Sequence, residues 1–239
     1  MLYWHRKRRF HTTVFLYSLV AYGSAIALKY AVQLPTIGAV TSYFGAHSLG
    51  LGLYYGLQTV FFEVGFAFLV ACFATSRCKL EKKDAEAYGS GLAFWENAVL
   101  LGILPLINLI SYYSILSTNT SLAQTLFDQL NTAAPGLFAP ATEALSSVAL
   151  GVMERISSIL VHMAWGYLCF LAAYLNKRRL LLIAMPMGFI DFLVPFAQNA
   201  IVAFEAVFFT LSVFCIIAAW YFSRNLHENT TNNHKKPKP

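Results

Sequence analysis

The chain has 239 residues, of which 58% are hydrophobic, 15% aromatic and only 12% charged. A soluble domain carries about 25% charged residues, so this chain lacks the polar surface for one and reads as an integral membrane protein. Its net charge of +6 is carried by loops flanking apolar runs, which implies contact with a lipid bilayer and no nucleic-acid partner.

Runs of about 20 apolar residues cross a bilayer as helices. Six are predicted, at 12–32, 49–75, 88–116, 146–175, 180–198 and 201–222. The expected fold class is all-α, a polytopic bundle of six transmembrane helices. The runs lack the period-2 alternation of transmembrane β-strands. The first run is too long for the apolar core of a signal peptide and lacks a small-residue cleavage site, so it reads as a span. Residues 1–225 form one transmembrane domain, and the polar stretch 226–239 reads as a disordered cytoplasmic tail.

The basic residues order these spans. Arg6, Lys7, Arg8 and Arg9 precede the first, and Arg77, Lys79, Lys82 and Lys83 follow the second. Lys177, Arg178 and Arg179 follow the fourth; Arg224, Lys235, Lys236 and Lys238 follow the sixth. Alternate loops hold 15 of the 17 basic residues, which places both termini in the cytoplasm of a plasma-membrane protein. Lys29 and Arg155 fall near outer span ends, where long side chains snorkel. Cys72, Cys78, Cys169 and Cys215 have no metal-ligand spacing. The loop 117–141 is the one sizeable extramembrane segment and predicts a short interfacial helix over 122–130.

Five acids fall inside the spans: Glu63, Glu96, Glu154, Asp191 and Glu205. His162 joins them. Glu63 shares a helical face with Gly52, Gly56, Thr59 and Ala67, and small residues mark faces where helices meet. Glu154, Ser158 and His162 share another such face with Gly151 and Gly166. Pro186 and Pro195 flank Asp191, and interruptions of this kind mark sites because they free backbone carbonyls. A single buried carboxylate is as readily a helix–helix hydrogen-bonder as a site residue, and Glu205, which has no polar company in its span, reads as structural. Four ionisable groups on four spans, with Glu63, His162 and Asp191 at one depth, read instead as one site.

These stretches resemble, in order, the YhfC family of glutamic-type intramembrane peptidases, distant relatives of the PrsW and CAAX-processing proteases. An E-E-x-x-R motif corresponds to Phe62-Glu63-Val64-Gly65-Phe66. A G-x-G-H-G-G-x-E motif corresponds to Gly89 through Glu96, an E-R pair to Glu154-Arg155 ahead of His162, and H-x-x-x-D to Met187 through Asp191. The chain departs at Phe62, Phe66, Leu92 and Met187. Two expectations follow: a divergent protease, or a relative that keeps the scaffold without the reaction.

The resemblance implies peptide hydrolysis in or near the bilayer, with transmembrane or membrane-proximal peptides as substrates. Glu63 or Glu96 would be the base for water, His162 a donor to the oxyanion or a participant in metal binding, and Asp191 the residue that orients His162. Glu154, Arg155, Gly89 and Gly91 would support them. No cofactor is expected, because one in-span His with carboxylates is a sparse zinc set beside the usual catalytic ligands. The alternative is a small membrane transporter or substrate-binding subunit with a midplane acidic site.

Overall fold

A computed structural model of the chain describes residues 10–133, 137–199 and 201–233. Among them the chain is helical and has no strand. Six helical segments are long and apolar enough to cross a membrane. The helices are α1 (Val14–Phe44), α2 (Leu49–Arg77), α3 (Lys82–Ile115), α4 (Thr120–Ala133), α5 (Ala141–Tyr174), α6 (Arg178–Gly188) and α7 (Ile201–Asn233). All but α4 carry a span. Turns of 3-10 helix prolong α6 over Phe189–Asn199.

Three elements differ from the sequence reading. The first span does not stop near residue 32: α1 runs to Phe44 with Pro35 inside it. A proline removes one backbone hydrogen bond, which long membrane helices tolerate. The helix ends instead at Gly45, whose φ of 90° suits only a residue without a Cβ. Ser48 then starts α2 by accepting from the Leu51 amide at 3.1 Å. At the other end of the chain, α7 remains helical to Asn233, through part of the tail read as disordered from 226; residues 234–239 lie outside the described residues. The helix predicted at 122–130 is longer, Thr120–Ala133. Asn119 caps it through the Leu122 amide at 3.1 Å, and Phe127 clusters with Tyr112 of α3 and Phe138.

α5 is the axis of the bundle. Its segment from Val161 onward places Trp165, Leu168, Cys169, Phe170 and Leu171 in the core, packed among α2, α3, α6 and α7. A helix apolar all round belongs at such a centre. The α3–α5 crossing depends on two glycines. A Cβ on Gly89 would stand 2.6 Å from the Met163 carbonyl oxygen, and one on Gly166 would stand 2.9 Å from Gly89 Cα. Backbones therefore touch there. From this crossing, His162 lies one turn along α5 and Glu96 two turns along α3, on the way deeper into the bundle.

The side of the bundle where the chain begins is latched as well. Fully buried Asp84 accepts the His11 amide at 2.7 Å and the Glu81 amide at 2.7 Å, and it meets His11 Nδ1 at 2.9 Å. The start of α1 is thereby tied to the start of α3. Tyr88 donates to the Ala67 carbonyl at 2.7 Å, joining α3 to α2.

Candidate metal centre

Both candidate glutamates stand on widened turns. Thr59–Val64 of α2 and Trp95–Ile103 of α3 are π-helical, and Asp191 lies on the 3-10 extension of α6. A π turn adds a residue to the helical circuit and re-aims the side chains on it, and such turns recur at functional sites. Glu96 is steadied by its neighbour: the Trp95 indole donates to Ser18 Oγ of α1 at 3.1 Å. Ser158 Oγ donates to Glu96 Oε1 at 3.3 Å.

His162 sits on regular α-helix. Its Nδ1 lies 2.9 Å from the carbonyl oxygen of Ser158, one turn back. A carbonyl can only accept, so Nδ1 carries the hydrogen. Nε2 faces Glu63 Oε2 at 3.3 Å and touches Glu96 Oε2. The sequence reading expected Glu63 and His162 to share one site, and they are in direct contact. One donor atom from each of Glu63, Glu96 and His162 lies within 4.8 Å of the others.

The arrangement fits a cation. The Ser158 bond fixes a hydrogen on Nδ1 in either charge state of the ring; with Nε2 unprotonated, its lone pair faces two carboxylate oxygens, and a cation among them holds such a trio together. A proton on Nε2 fills the same place, donating to Glu63 Oε2 at 3.3 Å and pairing the ring with buried Glu96 Oε2; a metal ion would replace it. The wider charge balance agrees. Glu63, Glu96 and Asp191 with Lys29 leave two negative charges, which a divalent ion cancels. A ligating His also characteristically donates its second ring N–H to a backbone carbonyl, as His162 does.

Lys29 is where the sequence reading fails most clearly. It does not snorkel from a span end. Because α1 continues to Phe44, Lys29 lies in mid-helix, and its side chain is 15% exposed. Nζ donates to Glu63 Oε1 at 2.5 Å and Thr59 Oγ1 at 2.9 Å, and it lies 3.4 Å from Asp191 Oδ2. Tyr22, two turns earlier on α1, sets its ring edge-on to His162 at 6.4 Å. The clue available in the sequence was spacing: Ser18, Tyr22, Ala25 and Lys29 recur at helical intervals.

The remaining residues fall around this centre. Asp191 Oδ2 accepts from Thr59 Oγ1 at 2.5 Å; Asp191 joins the site through Thr59 and Lys29, and the Ser158 carbonyl holds His162 in the role expected of it. Arg155 pairs with its neighbour Glu154 and also donates to Asn97 Oδ1 at 3.3 Å. Both side chains are long and partly exposed, which lets them curl together. Gly89 and Gly91 serve helix contact. Leu92 and Met187 are buried in the core and supply no ligand. Glu205 is buried on α7, with Oε2 free of any hydrogen bond. A cavity of about 210 Å³ runs from Glu96, His162 and Asp191, past Glu154 and Arg155, to the flank between α5, the α6 extension and α7. Ile190, Val194, Phe204 and Phe208 line its apolar part.

Fold and site together define a helical membrane protein with a carboxylate–imidazole cluster buried at mid-span. The sequence matches the family described as YhfC intramembrane metalloprotease over residues 1–211, and the chain belongs to that family. No curated protein and no solved structure matches it. The family's description overturns the expectation that no cofactor is needed: it implies a metal, and Glu63, Glu96 and His162 form a set able to hold one. The expectation failed because it held the single His against the usual catalytic zinc ligands and gave the carboxylates beside it too little weight.

Proposed function

We propose that the chain is a metal-dependent peptidase that hydrolyses peptide bonds within or beside the bilayer, with Glu63, Glu96 and His162 as metal ligands. The observation that carries this reading is the buried convergence of one ligand atom each from Glu63, Glu96 and His162 within 4.8 Å of one another. The metal, when bound, supplies Lewis-acid polarisation of the scissile carbonyl and acidifies water. Asp191 is the general base in this reading. It lines the cavity, and Thr59 holds one of its oxygens. Its carboxylate takes a proton from water as the water oxygen bonds to the carbonyl carbon. It returns that proton to the amine nitrogen as the C–N bond breaks. Arg155, fixed by Asn97 and Glu154, offers charged N–H groups to peptide carbonyls. The apolar wall of the cavity receives side chains beside the scissile bond and keeps bulk water out. The split of basic loop residues supports cytoplasmic termini.

The test is a panel of single-span peptides, incubated with the purified protein in lipid. Cleavage should stop with a zinc chelator and return with added zinc. Asp191→Asn should lose roughly 10²–10⁴-fold in rate while keeping its metal. Cleavage indifferent to both the chelator and Asp191→Asn would overturn the reading.

A further inference from the structure

Lys29 is an expensive residue where it stands. A lysine in mid-span forfeits hydration, and such residues persist where a partner and a task hold them. Its ammonium does not neutralise the site, which keeps a net negative charge with Lys29 counted. Its contacts are selective. Of the two oxygens of Glu63, Lys29 takes Oε1 at 2.5 Å, while Oε2 faces His162 Nε2 at 3.3 Å. The same Nζ reaches Thr59 Oγ1 and, more distantly, Asp191 Oδ2. One side chain from α1 thus fixes the orientation of a carboxylate on α2 and stands beside another on the extension of α6.

We propose that Lys29 is a positioning residue: by occupying Glu63 Oε1 it leaves Oε2 as the single oxygen offered to the metal. This rests on the metal-centre reading above. A free carboxylate binds a cation through one oxygen or two, and a second bound oxygen would fill the coordination position that substrate and water need. Lys29 prevents that, and its charge offsets one of the three carboxylates, so the loaded site is neutral. Removing the charge therefore strengthens attraction for a divalent ion, while releasing Glu63 alters the coordination. A residue that merely braced the fold would show the opposite: weaker binding and an unchanged ligand geometry.

Cobalt(II) is the probe, because its visible absorption reports coordination number. The full-length protein in lipid nanodiscs is titrated with cobalt as wild type, Lys29→Met and Lys29→Arg, with His162→Ala as the ligand control. Wild type should bind cobalt and His162→Ala should not. Lys29→Met should bind at least as tightly as wild type, with visible absorption reduced roughly twofold or more as Glu63 contributes both oxygens. Lys29→Arg keeps a charge and donors, and should keep the wild-type spectrum. A Lys29→Met spectrum equal to wild type overturns the inference alone. So does cobalt affinity more than about tenfold weaker, the loss expected when a supporting partner of a ligand is removed, and so does a Lys29→Arg spectrum matching that of Lys29→Met. No cobalt binding by wild type overturns the metal centre and the inference together.

Discussion

In the half of the bundle where the chain begins, α3 buries Ala85, Ala87, Tyr88, Leu92 and Ala93; from Trp95 to Ile115 the same helix buries nothing. α1 and α5 repeat the contrast, whereas α2 buries Leu51, Gly52, Gly56 and Gln58 on the open side as well. α1 has no buried residue beyond Ala25, and α5 has none between Leu145 and Ile156. The packed half is built from regular helix, small residues and backbone contacts, with the Asp84 latch at its end. The open half begins where the helices widen. Lys29, Glu63, Glu96, His162 and Asp191 lie along the border between them. A site there has close-packed helices on one side and the less buried segments of α1, α3 and α5 on the other.

Substitutions distinguish the two halves by size of effect. The largest falls on the border: Glu96→Gln or His162→Ala should lower metal affinity by more than about 100-fold, beyond what loss of a supporting partner costs, as read by metal titration. Next comes the packed half. Gly166→Leu forces a side chain into the α3–α5 backbone contact and should cost about 1–3 kcal/mol or more, measured by unfolding in micelles. Asp84→Ala strips acceptors from the His11 and Glu81 amides and should cost about 1–3 kcal/mol in the same assay. The smallest effect belongs to the open half. Leu106→Ala, at an exposed position of α3, should change stability by no more than about 0.5 kcal/mol. A loss at Leu106 as large as at Gly166 would erase the distinction between the halves.

Much of this was legible in the sequence, for identifiable reasons. Composition alone forces a membrane protein, and loop charges separate the spans. Glu63, His162 and Asp191 stood out by shared depth, Glu63 and His162 also by the small residues on their faces, and Asp191 by its flanking prolines. Lys29 did not, because a lone lysine beside a polar stretch reads as a span end, and only the continuation of α1 through Pro35 puts it in mid-helix. The π turns left no mark either. Thr59–Val64 and Trp95–Ile103 have ordinary helical sequences, and their widening is a tertiary outcome. The role expected of Asp191 beside His162 went instead to a backbone carbonyl, which no side-chain pattern records. The metal was missed by weighing ligand types from their commonest combinations rather than from the charge that three carboxylates bring together.

The central claim is that Glu63, Glu96 and His162 together hold one metal ion. Elemental analysis of the purified, zinc-reconstituted protein tests it most directly, with Glu63→Gln, Glu96→Gln, His162→Ala and Asp191→Asn prepared alongside. The account predicts about one zinc per chain in the wild type and in Asp191→Asn, and near none in the other three. Equal zinc in all five proteins, or none in the wild type, would contradict it.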